Sequence, residues 1–76
     1  MKMTQGEIYE VTVEKIYPGV AVVRVNDNWR ARLTPEEFNG PRKLIKKDST
    51  FTAVGELYRM NGILCLRVKH VTRIGI

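Results

Sequence analysis

A small closed barrel of five β-strands, interrupted once by a short helical segment, is the all-β fold this sequence predicts. Three observations lead there. Apolar and polar residues alternate with a period of two over several short stretches. Turn residues punctuate them: Pro18-Gly19, Asn26-Asp27-Asn28 and Asn61-Gly62. The passage with helix-start chemistry, Thr34-Pro35-Glu36-Glu37, falls after the third strand.

Gly6 opens the first segment, EIYEVTVEKIY. Tyr9, Val11 and Val13 alternate with Glu10, Thr12 and Glu14, as in a strand with one wet face. Ile16 breaks that phase, so one extra residue is expected at Glu14–Lys15. Such a bulge is the usual device for curling a strand round a small barrel. Pro18-Gly19 turns the chain into a second strand, VAVVRV, and the Asn-Asp-Asn corner leads to a third, WRARL. Thr34 is a suitable helix N-cap, Pro35 suits the first helical position, and Glu37 completes a capping box with Thr34. Asn39-Gly40-Pro41 ends that helix within about two turns. RKLIKK, residues 42–47, is a second short helical turn or an ordered loop. STFTAVGEL and ILCLRVKHV then form a hairpin about Asn61-Gly62. In the first, Phe51, Ala53 and Leu57 share a side and Gly55 marks a bend. In the second, Leu64, Leu66 and Val68 alternate with Cys65, Arg67 and Lys69.

Three strands in meander, a helical insert and a closing hairpin make the plan of the OB-fold, a five-stranded Greek-key barrel. Five short strands cannot build a two-sheet sandwich of useful size, and closure hides their edges. Residues 1–76 are read as one domain, since 76 residues hold one core at most.

Composition narrows the function. The chain is 43% hydrophobic and 28% charged, a globular mixture. No apolar run approaches the roughly 20 residues needed to cross a bilayer, and MKMTQGEIYE lacks the apolar core of a signal peptide. A cytoplasmic protein with no membrane partner is expected. One cysteine, Cys65, makes no internal disulfide, which fits a reducing compartment. With one histidine, His70, it cannot supply four zinc ligands, so neither metal nor other cofactor is expected. Lys and Arg outnumber Asp and Glu by 13 to 8, and a net charge of +5 favours acidic partners, nucleic acid first.

The stretch AVVRVNDNWRARL carries three arginines among core-like residues. Alternation resolves this. Ala21, Val23 and Val25 point one way, Val22 and Arg24 the other. Trp29, Ala31 and Leu33 face inward, Arg30 and Arg32 outward. Pairing the two strands sets Arg24, Arg30 and Arg32 on one outer surface, and a one-residue slip would bury all three. That surface is the middle of the oligonucleotide-binding face of an OB-fold. Arginine suits phosphate and also stacks on bases. The plainer alternative is a solvated face paired with Glu10, Glu14 or other acids.

GEIYEVTVEKIYPGVAVVRVNDNWRARLTPEEF resembles the opening of the S-one RNA-binding domain, named for the ribosomal protein in which it repeats. Gly6, Val13 and Ile16 match that family's Gly and Val-x-x-Ile. Ala21 and Val23 match its second strand with one residue inserted in the turn. Leu33, Glu37 and Phe38 match its third strand and helix start. KKDSTFTAVGELYRMNGILCLRV fits the closing hairpin. Bacterial initiation factor one has a similar size and plan. The resemblance implies an OB-fold that binds RNA. The family's base-stacking aromatics and histidine fall here on Gly19, Val22 and Thr34, so that set is absent. Tyr17 and Tyr58 are the candidate replacements. The cationic half remains in Arg24, Arg30, Arg32 and Arg67.

Other candidates are weighed against plainer roles. Lys46 and Lys47, with Arg42 and Lys43, either flank the face and grip phosphate or form a solvated loop. By phase Trp29 is a core residue, with stacking at the barrel mouth the alternative. Cys65 beside Arg67 and Lys69 is read as a bland thiol rather than a reactive one. No phosphate loop, carboxylate pair or nucleophile motif appears, and Glu36-Glu37 are read as charges on a helix dipole. The expectation is a non-enzymatic binder of RNA or single-stranded DNA. The alternative is a protein-interaction module docking on, or inhibiting, a larger nucleic-acid-processing machine.

Overall fold

The computed structural model describes residues 7–75. The role expected for Gly6 lies outside them. Five strands, β1 (Glu7–Tyr17), β2 (Val20–Val25), β3 (Trp29–Leu33), β4 (Thr50–Met60) and β5 (Ile63–Ile74), close into a barrel in the order β1-β2-β3-β5-β4. All pairings are antiparallel except β3 with β5, which meet in parallel at Arg32 and Cys65. The result is an OB-fold-like barrel.

The turns follow their residues. Asn26 and Asp27 take positive φ, 53° and 59°, as a tight corner between twisted strands requires. Asn61 and Gly62 do the same at 54° and 81°. In β1 the register jumps from Val13 opposite Val23 to Lys15 opposite Val22, so Glu14 is the unpaired bulge residue.

Alternation fills the core. Val11, Val13, Val23, Val25 and Phe51 are fully buried, with Leu33, Leu66 and Val68 almost so. β4 and β5 change register on either side of Val54, between Thr52 and Ala53 and between Val54 and Gly55. Gly55 is the enabling residue: a Cβ there would lie 2.2 Å from the Arg67 carbonyl oxygen.

Two expectations fail. The helix after Thr34 is a single 3₁₀ turn, Pro35–Glu37, and the Thr34 side chain caps nothing. A capping box needs the chain to continue as a helix, and tertiary packing pulls it away. Phe38 turns into the core, edge-on to Phe51 with ring centroids 5.7 Å apart. Asn39 then docks on β5, its N–H donating to the Val68 carbonyl (3.1 Å) and its side-chain amide to that of Lys69 (2.8 Å). The second failure is Trp29, which is 51% exposed. It has the inward phase of Ala31 and Leu33 but stands first in β3, at the end of the strand, where the core no longer covers it.

Residues 42–47 combine both alternatives offered for them. Arg42–Leu44 is a 3₁₀ turn that buries Leu44, and an ordered loop follows. That loop docks on β1, with Val13 N–H donating to the Ser49 carbonyl (2.9 Å) and Asp48 N–H to that of Val13 (2.8 Å). Among the described residues no helix is long and apolar enough to cross a membrane.

Candidate nucleic-acid interface

Arg24 and Arg30 are directly opposed across β2 and β3, and Arg32 lies opposite the outward-facing Val22. Like charges at an opposed pair repel, since their Cβ atoms sit only about 5 Å apart. The bulge supplies the remedy. Glu14, displaced from the ladder, reaches both guanidiniums. Arg30 Nε donates to Glu14 Oε1 (3.0 Å), and Arg24 Nη2 pairs with Glu14 Oε2. Partial burial pushes the Glu14 carboxyl up, but the hydrogen bond from Arg30 and the charges of Arg24 and Arg30 outweigh it and hold it below the usual range. One carboxylate thus serves two cations. Among the described residues Arg32 has no carboxylate partner. The face therefore keeps a positive surplus.

Arg32 also links two depressions. One, of about 180 Å³, is lined by Val22, Arg30, Ala31, Arg32, Ile63 and Leu64. The other, of about 390 Å³, is lined by Val20, Arg32, Thr34, Tyr58, Met60 and Cys65 together with the carboxylates of Glu36 and Glu37. Val20 follows the β1–β2 turn and Met60 precedes the β4–β5 turn. These are the two turns that bracket the ligand face of an OB-fold.

The remaining predicted residues are dispersed. Tyr17 is 48% exposed at the end of β1, opposite Val20. Lys46 lines a separate depression with Lys43, Asp48 and Ile74, and Lys47 is exposed beside it. Arg67 belongs to a different construction. Its Nη2 is 3.1 Å from Glu37 Oε2, its Nη1 3.2 Å from Glu56 Oε1, and its guanidinium carbon 5.0 Å from the Tyr58 ring centroid. Lys69 Nζ approaches Glu56 Oε2 at 3.5 Å. Tyr58 donates its hydroxyl to Glu37 Oε1, and that bond is the main reason its pKa is pushed up to about 12. The same bond, with Arg67 acting against partial burial, holds Glu37 below the usual carboxylate range.

Two residues of this second construction escape sequence reasoning. Glu37, expected in a capping box, is the hub joining Tyr58 and Arg67. Glu56 carries no motif of its own, although counting outward from Asn61-Gly62 finds its pairing with Arg67. Nothing local announces Glu37, since its partners are 21 and 30 residues away.

No family model, curated protein or solved structure matches this chain.

Proposed function

We propose that this protein binds single-stranded nucleic acid along the outer face of β2 and β3. The observation that carries the reading is the charge surplus on that face. Arg24, Arg30 and Arg32 project from one surface of the hairpin, and among the described residues Glu14 is the one carboxylate in an ion pair with any of them. Guanidiniums suit phosphate through planar, bidentate hydrogen bonds. The cleft containing Val20, Tyr58 and Met60 adjoins Arg32 and offers apolar ground to bases or sugars, while Glu36 and Glu37 in the same lining disfavour phosphate there. Similarity to the S-one domain points to RNA. Phosphates neutralised by arginines release counterions, so affinity falls steeply with salt. Without the family's stacking aromatics on β2, sequence preference is slight.

The test is a titration of a labelled single-stranded RNA of about ten nucleotides at low and near-physiological salt, followed by anisotropy. The expected result is salt-sensitive binding that the Arg30→Ala, Arg32→Ala double variant largely loses. Absence of binding at low salt overturns the proposal. In that event, one stoichiometric protein partner surviving nuclease treatment would favour the interaction-module reading, for which the outward-facing, half-buried Val20 and Val22 offer contact surface.

A further inference from the structure

We infer that Trp29 is a base-stacking platform, so that the site takes an unpaired nucleobase and selects single strands over duplex. This rests on the reading of the β2–β3 face as a nucleic-acid interface. It adds an aromatic contact at the first residue of β3, at the edge of a face whose β2 carries none.

Trp29 is the chain's only tryptophan. A buried indole contributes 150–250 Å² of apolar contact, so half-exposing one forgoes much of that gain. Here Trp29 is 51% exposed, while smaller residues of the same phase, Ala31 and Leu33, are buried. Its surroundings suit a nucleotide. Trp29 lines a depression of about 430 Å³ with Arg24, Asp27, Asn28 and Arg30. The two arginines share Glu14, and Asp27 adds a second carboxylate, so what they bring beside the aromatic residue is guanidinium hydrogen-bond donors rather than a net charge. A phosphate takes the guanidinium N–H donors and a base takes the aromatic face.

The platform is also held in place. Asn26 N–H donates to the Glu10 carbonyl (2.8 Å), and Glu10 N–H donates back to Asn26 Oδ1 (2.9 Å). Asn28 N–H closes on the Val25 carbonyl at 3.1 Å. The corner before Trp29 is thus clamped to β1, so the backbone that carries the indole needs little ordering when a ligand arrives. Bases inside a duplex are already stacked on each other and cannot cover the indole. A polyanion without bases engages only the arginines.

The experiment reads binding and stacking separately. A labelled single-stranded oligonucleotide reports binding anywhere on the protein through its anisotropy. The intrinsic fluorescence of Trp29 reports what happens at the indole. The single strand should bind and quench it. Equal-length duplex and heparin, at concentrations where they also bind, should leave it almost unquenched. Trp29→Ala should weaken single-strand binding about tenfold to hundredfold, keep the salt slope, and leave heparin affinity unchanged. Trp29→Phe should retain most of the affinity. Single-strand binding without quenching, or quenching equal to heparin's, overturns the inference and leaves the interface reading standing; both are read on the wild-type protein. Undiminished affinity in a folded Trp29→Ala variant overturns it as well. No oligonucleotide binding in any arm removes both.

Discussion

Two arginine–carboxylate nodes sit on the outside of this barrel, and they differ in stoichiometry. At the bulge, Glu14 serves both Arg24 and Arg30, with Arg32 near by and unpaired among the described residues. At the hairpin, Arg67 is shared by Glu37 and Glu56, and Lys69 completes a balanced set of two cations and two anions. The first node keeps charge to spend on a ligand. The second satisfies itself and ties the 3₁₀ turn at Glu37 to β4 and β5. A count of arginines therefore does not measure the capacity of a surface for phosphate. What measures it is how many carboxylates each guanidinium already holds.

The comparison can be broken most severely through the backbone. Gly55→Ala would drive a methyl group into the Arg67 carbonyl, 2.2 Å away. Relief requires β4 and β5 to part, at about 1–3 kcal/mol or more, read as a lower melting midpoint. The hairpin node should loosen with it, and an unchanged midpoint would show that the ladder absorbs the methyl group. Next comes the charge surplus. Arg30→Ala with Arg32→Ala should cost single-strand affinity about tenfold or more at low salt. It should also flatten the slope of log affinity against log salt by about 0.7 for each phosphate no longer neutralised. Arg67→Ala is the contrasting variant: affinity should stay within about twofold, and a drop matching that of the double variant would erase the distinction between the nodes.

Smaller effects sharpen the picture through pH. The neutral Tyr58 hydroxyl, with its pKa raised from 10.0 to about 12, contributes stability in full below pH 10 and loses it as pH rises through about 12. Glu37, held low, contributes in the opposite sense. Its share is complete above the ordinary carboxylate value of 4.5 and fades as pH falls through the depressed one. Glu37→Gln should bring Tyr58 ionisation back toward 10, seen as tyrosinate absorbance in an alkaline titration; a tyrosine still titrating near 12 would assign the shift to burial. The least effect is expected of Glu14→Gln. It frees two guanidiniums and should raise oligonucleotide affinity a few-fold, whereas a fall would mean that Glu14 chiefly aims them.

Much of this is legible in the chain because the features are local. Period-two alternation sets which valines are buried and sends Arg24, Arg30 and Arg32 outward, and the NDN corner fixes Arg24 opposite Arg30. The phase slip at Ile16 locates the bulge at Glu14–Lys15, and the register singles out Glu14. Thr34-Pro35-Glu36-Glu37 has sound helix-start chemistry and still makes one 3₁₀ turn, because burying Phe38 outweighs a cap on the surface. Trp29 has core phase and lies exposed, because phase says which side a residue faces and not where the core stops.

The sequence alone thus determined the succession of strands along the chain, the turn positions, the register of the β2–β3 hairpin and the side of the sheet from which each arginine leaves. Each depends on neighbours a few residues apart, through backbone geometry and the cost of burying charge. Only the tertiary structure decided how charges pair across the barrel, that Glu37 meets Tyr58 and Arg67, and that the indole of Trp29 stays in water. Those outcomes depend on the closure of the sheet, which brings together residues that no local rule relates.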